Sequence, residues 1–302
     1  MEKVLFISNA YAGSVSAPTK EVIVKALQAD FKLEVVETTA RDHASELARD
    51  AVDRAFHAVL VFGGDGTINE AAQALVGSDV ALGILPGGST NVMARSLGIP
   101  RDPVEATAFG AERLRSGTTR RIHVGRLGHR YFLFSAGMGL DAEVVKRIEM
   151  DPVAKRERGE WSFLTNALKA AFTQYRGMDP SVTLTVEGVE PARVVLAVCC
   201  NGRPFTYFKR FQVDALPHVR LDGGLDFLGL MRIRSMTIPH IAWSLFVSRS
   251  HPRWRSAVYH HDVTTGSMIA DGPMPVQVDG DYIGELTEAR IELVRDALSI
   301  AV

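Results

Sequence analysis

Several absences narrow the class of this chain before any motif is considered. Its 302 residues include two cysteines, Cys199 and Cys200, adjacent to each other in the apolar run ARVVLAVCCNG. Neighbouring cysteines would form a strained mutual disulfide and lack metal-ligand spacing, so the pair reads as reduced core residues. No apolar run reaches membrane-spanning length, and the N-terminal MEKVLFISNAYAG passes straight into a strand-like segment rather than a signal peptide. The expected location is therefore the cytoplasm. Neither charge dominates, with 34 Lys and Arg against 35 Asp and Glu and a net charge of −1. A chain so balanced is not built as a whole to bind nucleic acid. There is no internal repeat, no low-complexity segment, no GKS or GKT of a P-loop and no dinucleotide-binding spacing. What is present is 46% hydrophobic residues, enough for a substantial core and for two domains.

The first third alternates strand and helix signals. KVLFIS (3–8) and KLEVVET (32–38) are rich in branched residues, and HAVLVF (57–62) and VALGILP (80–86) read as buried strands ending in turn residues. Between the second and third, Ala44, Leu47, Ala48, Ala51, Val52 and Ala55 recur at helical spacing. Further helices fit 19–29, 68–76, 91–97 and 103–115. This pattern predicts a mostly parallel sheet covered on both faces, with ligands beyond the carboxyl ends of the strands, after Ser8, Phe62 and Pro86. After about residue 120 the runs RIHVGRL, RYFLFSAGM, SVTLTVEG, ARVVLAVCC, LDFLGLMRI, MPVQVDGD and ARIELVR predict an antiparallel β domain. Two helical insertions, 141–176 and 238–248, interrupt it.

Two glycine loops follow neighbouring strands of the first domain. In VFGGDGTINE (61–70), Gly63, Gly64 and Gly66 permit close backbone approach, and the following helix would aim its N-terminal dipole at the same place. Such a loop is either a phosphate cradle or a tight turn. Asp65 is unexpected in a cradle, because a carboxylate beside phosphate is repulsive unless a metal or a donor intervenes. PGGSTNVMARSLGIP (86–100) opens a helix in the same way, with Ser89 or Thr90 as candidate N-cap. SNAYAG (8–13) adds Asn9 and Gly13 to the same edge.

In the β domain, RLDGGLD (220–226) and QVDGDYIGE (277–285) are acidic turns. Asp-Gly pairs suit hairpins for conformational reasons alone, yet Asp279 and Asp281 could share a metal or a proton if they face a cleft. Between Asp226 and Asp262 there is no acidic residue, while Arg232, Arg234, Arg249, Arg253 and Arg255 occur with Trp243, Phe246 and Trp254 interleaved. That stretch is either a surface for an anionic membrane or a solvated basic face. Trp161, Leu164, Leu168, Ala171 and Tyr175 form a helical stripe that fits either core or a lipid groove.

Taken together, these motifs resemble the bacterial diacylglycerol kinase and lipid kinase family, related to sphingosine kinases and more distantly to NAD kinases. The resemblance runs through NAYAG (9–13), GGDGTINE (63–70), LPGGSTNVMARSLGIP (85–100), FSAGMGLDAEVV (134–145), DGGLD (222–226) and VDGD (278–281), in the family's order. It implies an α/β N-terminal domain with a mostly parallel sheet (1–120) and a C-terminal antiparallel β-sandwich domain for the lipid (121–285), with ATP between them. Residues 286–302 are expected to pack back on the first domain.

Carried over residue by residue, Gly63, Gly64, Asp65, Gly66, Thr67, Ile68 and Asn69 would hold the ATP phosphates. Thr38 and Ser89 would be further nucleotide contacts, and Asn9 would support the pocket. Asp222, with main-chain carbonyls of Val219 and Gly224, matches the family's Mg²⁺ site. Asp279 and Asp281 match its catalytic turn, with Asp281 as or beside the proton acceptor and Asp65 organising the metal network. Two positions depart from the pattern. Val92 stands where the family usually has Asp, and Asp281 stands for the family's glutamate, one methylene shorter.

The implied activity is ATP- and Mg²⁺-dependent phosphorylation of a hydroxyl on a lipid such as diacylglycerol, a step in lipid metabolism. The protein would touch the inner membrane face peripherally and reversibly, bind no nucleic acid, and could form a homodimer. An NAD kinase, or a nucleotide-binding regulatory protein with weak catalysis, are the alternatives.

Overall fold

The computed structural model describes residues 1–9, 16–150, 166, 169, 173, 177–208 and 211–302. Its chain divides into two compact units, Met1–Val124 with Val294–Val302, and Gly125–Leu293. The Trp161–Tyr175 stripe and Gly13 lie outside the described residues.

In the first unit, β1 (Lys3–Ser8), β2 (Lys32–Glu37), β3 (Ala58–Gly63) and β4 (Ala81–Pro86) alternate with α1 (Ala17–Asp30), α2 (His43–Asp53) and α3 (Asp65–Leu75). Next come α4 (Val92–Ser96) and α5 (Pro103–Arg115). The strands are parallel in the order β4-β3-β1-β2, with Ser8 opposite both Glu37 and Phe62, and Gly63 opposite Pro86. All six residues of β3 and of β4 are buried, as a central strand covered on both faces requires. The apolar face of α2 buries Ala44, Ala48 and Ala51 completely. The in-register strand ends bring the turns at Asn9, Thr38, Gly64 and Gly87 to one edge. There the ladder runs one rung further, through Asn9 N–H to the Phe62 carbonyl (3.0 Å), Thr38 N–H to Ser8 (2.9 Å) and Gly87 N–H to Gly63 (2.8 Å).

The second unit is largely antiparallel. Its elements are β5 (Arg120–Leu127), β6 (Arg130–Phe132), β7 (Ser135–Gly139), α6 (Leu140–Met150), β8 (Val182–Val186), β9 (Ala192–Val194), β10 (Leu196–Cys200), β11 (Thr206–Phe208) and β12 (Phe211–Val213). They continue with β13 (Leu225–Leu230), α7 (Ile238–Trp243), β14 (Ala257–Val263), β15 (Thr265–Val278) and β16 (Asp281–Ile300). The strand order β14-β13-β10-β7-β15 surrounds a core that includes Phe132, Phe227, Met268 and Val276, and β11 and β12 form a separate hairpin. Cys199 and Cys200 are free and buried in this core; burial pushes both thiols up, so they stay protonated and unreactive. The chain leaves the first unit within β5 and re-enters it within β16, whose end pairs Ile300 with Leu82 of β4 in parallel.

The two units together give the expected α/β domain with a largely parallel sheet followed by an antiparallel strand domain. Secondary structure differs from the sequence reading at several places, including the short strands β11 and β12, which the reading did not expect. Helix α3 begins at Asp65, three residues before the expected 68, because the glycine loop itself winds into the first turn. Strand β14, AVYHHDV, is half-exposed and carries two histidines, which hid it. The expected short strand at 289–295 is the middle of one 20-residue strand.

Candidate functional site

In the first unit the two glycine loops touch backbone to backbone. A Cβ added to Gly88 would lie 2.7 Å from the Gly64 Cα, so a side chain there would force the loops apart. Asp65 locks this contact. Its Oδ2 accepts from Val92 N–H at 2.9 Å and its Oδ1 from Met93 N–H at 3.0 Å, the first two residues of α4. The donor that a carboxylate needs in such a loop is therefore the neighbouring loop's own backbone. Burial pushes the Asp65 carboxyl up, and those two N–H groups oppose the shift.

Other side chains of the signature hold the surrounding turns. Asn91, in the left-handed region at φ 47, accepts from Gly88 N–H at 2.8 Å and donates back to the Gly88 carbonyl at 2.7 Å. It precedes the first residue of α4, so neither Ser89 nor Thr90 is that helix's N-cap. Asn9 Nδ2 donates to Thr67 Oγ1 at 2.9 Å, joining the first turn to α3. Glu70 Oε2 accepts from Ala44 N–H at 3.4 Å, at the start of α2. Thr38, Thr67, Ile68 and Asn69 are buried, whereas Gly66 and Ser89 are exposed. The N-terminal end of α3, beside the exposed Gly66 and Ser89, forms an edge suited to an anion. Val92 is buried and places an apolar side chain where the resemblance leads one to expect a carboxylate.

In the second unit, Asp279 and Asp281 have opposite surroundings. Asp279, at φ 49, accepts from Leu133 N–H (2.7 Å), Phe134 N–H (2.8 Å) and Ser135 N–H (2.9 Å), and its own N–H donates to the Ser135 carbonyl (2.8 Å). Both of its oxygens serve the bend between β6 and β7. Asp281 is partly exposed and forms an ion pair with Arg130 at 2.9 Å. Nearby, Gln277 Nε2 donates to Asp141 Oδ2 at 3.1 Å, and its Oε1 accepts from Gly280 N–H at 2.8 Å. Asp141 lies at the start of α6. Burial of the carboxyl group pushes it up to about 6, and its Oδ1 has no partner among the described residues. The sequence motif FSAGMGLDAEVV contains Asp141 but does not set it apart, and nothing in the sequence links Arg130 to Asp281.

The loop at 219–224 offers oxygen donors. Val219 is buried, and Asp222 is exposed with its carboxylate facing Arg220 at 3.1 and 3.3 Å. Gly224 N–H donates to Asp262 Oδ1 at 2.6 Å. Beneath the loop, fully buried Asp226 accepts from the Tyr259 hydroxyl and from Asp262 N–H (3.0 Å) and meets His261 Nδ1 (2.7 Å), a hub that sequence reasoning missed. Among the described residues no group of three or more His, Cys, Asp or Glu gathers as a metal cage. A single carboxylate with main-chain carbonyls is nevertheless a donor set that fits Mg²⁺, which takes hard oxygen ligands and keeps several waters.

An α/β unit whose glycine loops meet at the carboxyl edge of a parallel sheet, with an antiparallel unit carrying acidic turns, defines the class. Residues 3–127 match the family model for the diacylglycerol kinase catalytic domain. A diacylglycerol kinase of Bacillus subtilis (strain 168) is 36% identical over 121 residues, 39% of this chain and 39% of that relative. This match thus spans about two fifths of the relative's length. A diacylglycerol kinase of Staphylococcus carnosus (strain TM300) is 24% identical over 88% of this chain and 83% of its own. A crystal structure from Bacillus anthracis str. Sterne superposes with a TM-score of 0.78 at 24% identity, covering 99% of this chain and 95% of that one, and so shares the fold. The segment 3–127 thus matches the diacylglycerol kinase catalytic-domain family, and similarity to a diacylglycerol kinase extends, at 24% identity, along 88% of the chain.

Proposed function

We propose that this chain is a lipid kinase that transfers the terminal phosphoryl group of ATP to a hydroxyl of a lipid such as diacylglycerol. The observation that carries the proposal is the pair of glycine loops clamped together by Asp65 at the carboxyl edge of the parallel sheet, within the segment that matches the kinase family model. Nucleotide binding is assigned to residues 1–120. Backbone N–H groups of Gly64, Gly66 and Ser89 and the N-terminus of α3 receive phosphate oxygens, while Asn9, Thr38, Thr67 and Asn69 shape the turns around them. Acceptor binding is assigned to residues 121–285. Phosphoryl transfer needs alignment, charge neutralisation and a proton acceptor more than covalent help. Asp281, the accessible member of its acidic turn, takes the proton of the lipid hydroxyl, and Asp279 holds the backbone that presents it. Asp222 with the carbonyls of Val219 and Gly224 would hold Mg²⁺, which when bound spreads the charge on the phosphates.

The test is incubation of the purified protein with labelled ATP, Mg²⁺ and mixed micelles containing diacylglycerol, sphingoid or phosphatidylglycerol acceptors. Label in an acceptor supports the reading; its absence from all three overturns it. One observation favours a second reading, a nucleotide-binding regulator with little turnover, because Arg130 engages the carboxylate assigned as proton acceptor. That reading expects ATP binding by calorimetry with no labelled lipid, and no gain from Asp281→Glu.

A further inference from the structure

The helical segment 235–248 of the second unit carries two apolar stripes. Ile238, Ile241 and Leu245 face inward against the core. Met236, Trp243 and Val247 recur at helical spacing on the other side and are 92%, 58% and 54% exposed. A surface helix normally turns a polar face to water, and these are three of the most exposed large apolar side chains among the described residues. Phe211 of the β11–β12 hairpin, 53% exposed, adds a fourth from a hairpin that packs against the same segment through Phe208 and Phe246, whose rings meet edge to face at 6.3 Å.

The segment is held in place. Asp214 N–H donates to the Leu245 carbonyl at 3.0 Å, the buried Asp214 carboxylate binds Arg249 at 2.7 Å, and Ser244 is hydrogen-bonded to His251 at 2.9 Å. On its flank, Trp254 stacks on His240 at 4.6 Å, which brings the 251–255 turn beside the outward stripe. Arg232, Arg234, Arg253 and Arg255 are exposed, and among the described residues none pairs with a carboxylate. The sequence from 227 to 261 contains no acidic residue at all.

We propose that this tip, Met236, Trp243 and Val247 ringed by Arg232, Arg234, Arg253 and Arg255, is the surface by which the protein docks on an anionic lipid bilayer. The proposal deepens the lipid-kinase reading by naming where the acceptor's membrane is met. Trp and Met can enter the headgroup boundary while the arginines meet lipid phosphates, as interfacial helices do. None of the described helices is long and apolar enough to cross a membrane, so docking would be at the surface. A two-fold dimer through the same patch would set these arginines against their own copies, with no carboxylate in the segment to relieve them.

The experiment measures sedimentation of the full chain with vesicles of phosphatidylcholine alone and with 30% phosphatidylglycerol, beside analytical ultracentrifugation without lipid. The wild type is expected to bind the anionic vesicles at about tenfold higher affinity than the neutral ones, and 0.5 M salt to reduce that difference. The double variant Met236→Gln, Trp243→Ser and, separately, Arg253→Gln with Arg255→Gln should each weaken anionic-vesicle binding about tenfold. Because these side chains are exposed, both should melt within a few degrees of wild type; a variant that does not is replaced by Val247→Gln with Arg232→Gln. Unchanged vesicle binding by correctly folded variants overturns the proposal, as does wild-type dimerisation abolished by either double variant. The binding readout is independent of chemistry: vesicle binding lost in the variants with no lipid phosphorylated by wild type sinks the kinase reading and leaves the docking surface.

Discussion

Asp65 in the first unit and Asp279 in the second do the same mechanical work, while Asp281, two residues from Asp279, does not. Each of the first two spends both carboxylate oxygens on backbone N–H groups of a distant segment: Asp65 on Val92 and Met93, Asp279 on Leu133, Phe134 and Ser135. Asp281 pairs with the Arg130 side chain at a partly exposed position. Acidic residues in glycine-rich turns therefore fall into clamps, which set where other backbone atoms sit, and groups that pair with a side chain nearer the surface. A carboxylate gripping several N–H groups has its lone pairs occupied, and those bonds favour its charged form, although at Asp65 burial outweighs them.

The clamp side of this comparison breaks first at Asp279. Replacement by Ala leaves three N–H groups of buried residues without their acceptor, and the expected loss is about 4 kcal/mol of unfolding free energy in a urea titration. Asp279→Asn, which tolerates the left-handed backbone, should lose less.

Asp141 comes next, a half-buried residue with a buried carboxyl and neither role. Its carboxyl is raised from 3.8 to about 6, so between those values the folded protein binds more protons than the unfolded chain. Stability from this group is therefore greatest below about pH 4 and falls as pH rises to about 6, by roughly 3 kcal/mol. Melting followed from pH 4 to 7 should show this decline, and Asp141→Asn should flatten it.

Asp65→Ala is expected to cost about 2 kcal/mol, the scale of a lost charged helix cap. Calorimetry should show weakened ATP binding as the Gly64–Gly88 contact relaxes. The smallest stability effect falls on Asp281→Asn, under about 1 kcal/mol, because a partly exposed ion pair contributes little.

The first unit was readable because central parallel strands are continuous apolar runs and α2 repeats its small residues at helical spacing. The carboxyl-edge position of Asn9 and the glycine loops followed from that order alone, whereas Thr38 came only from the family resemblance. The antiparallel unit was readable only in part. Its short strands β11 and β12 have three residues each, and β14 carries histidines where a strand pattern expects apolar residues. The clamps were not readable at all. Asp65 lies 27 residues from Val92, and Asp279 lies 146 residues from Leu133, and no local spacing records such a contact. The sequence marked Asp65 as out of place beside phosphate; the structure supplies the donors that resolve it.

The most direct test of the division between clamps and chemistry is the rate of phosphate transfer from ATP to micellar diacylglycerol by Asp281→Asn, measured at a temperature where its melting curve overlays that of the wild type. A fall of about a hundredfold or more in a folded variant is the predicted result. A rate within a few-fold of wild type would contradict it, and would return the proton acceptor's role to another group.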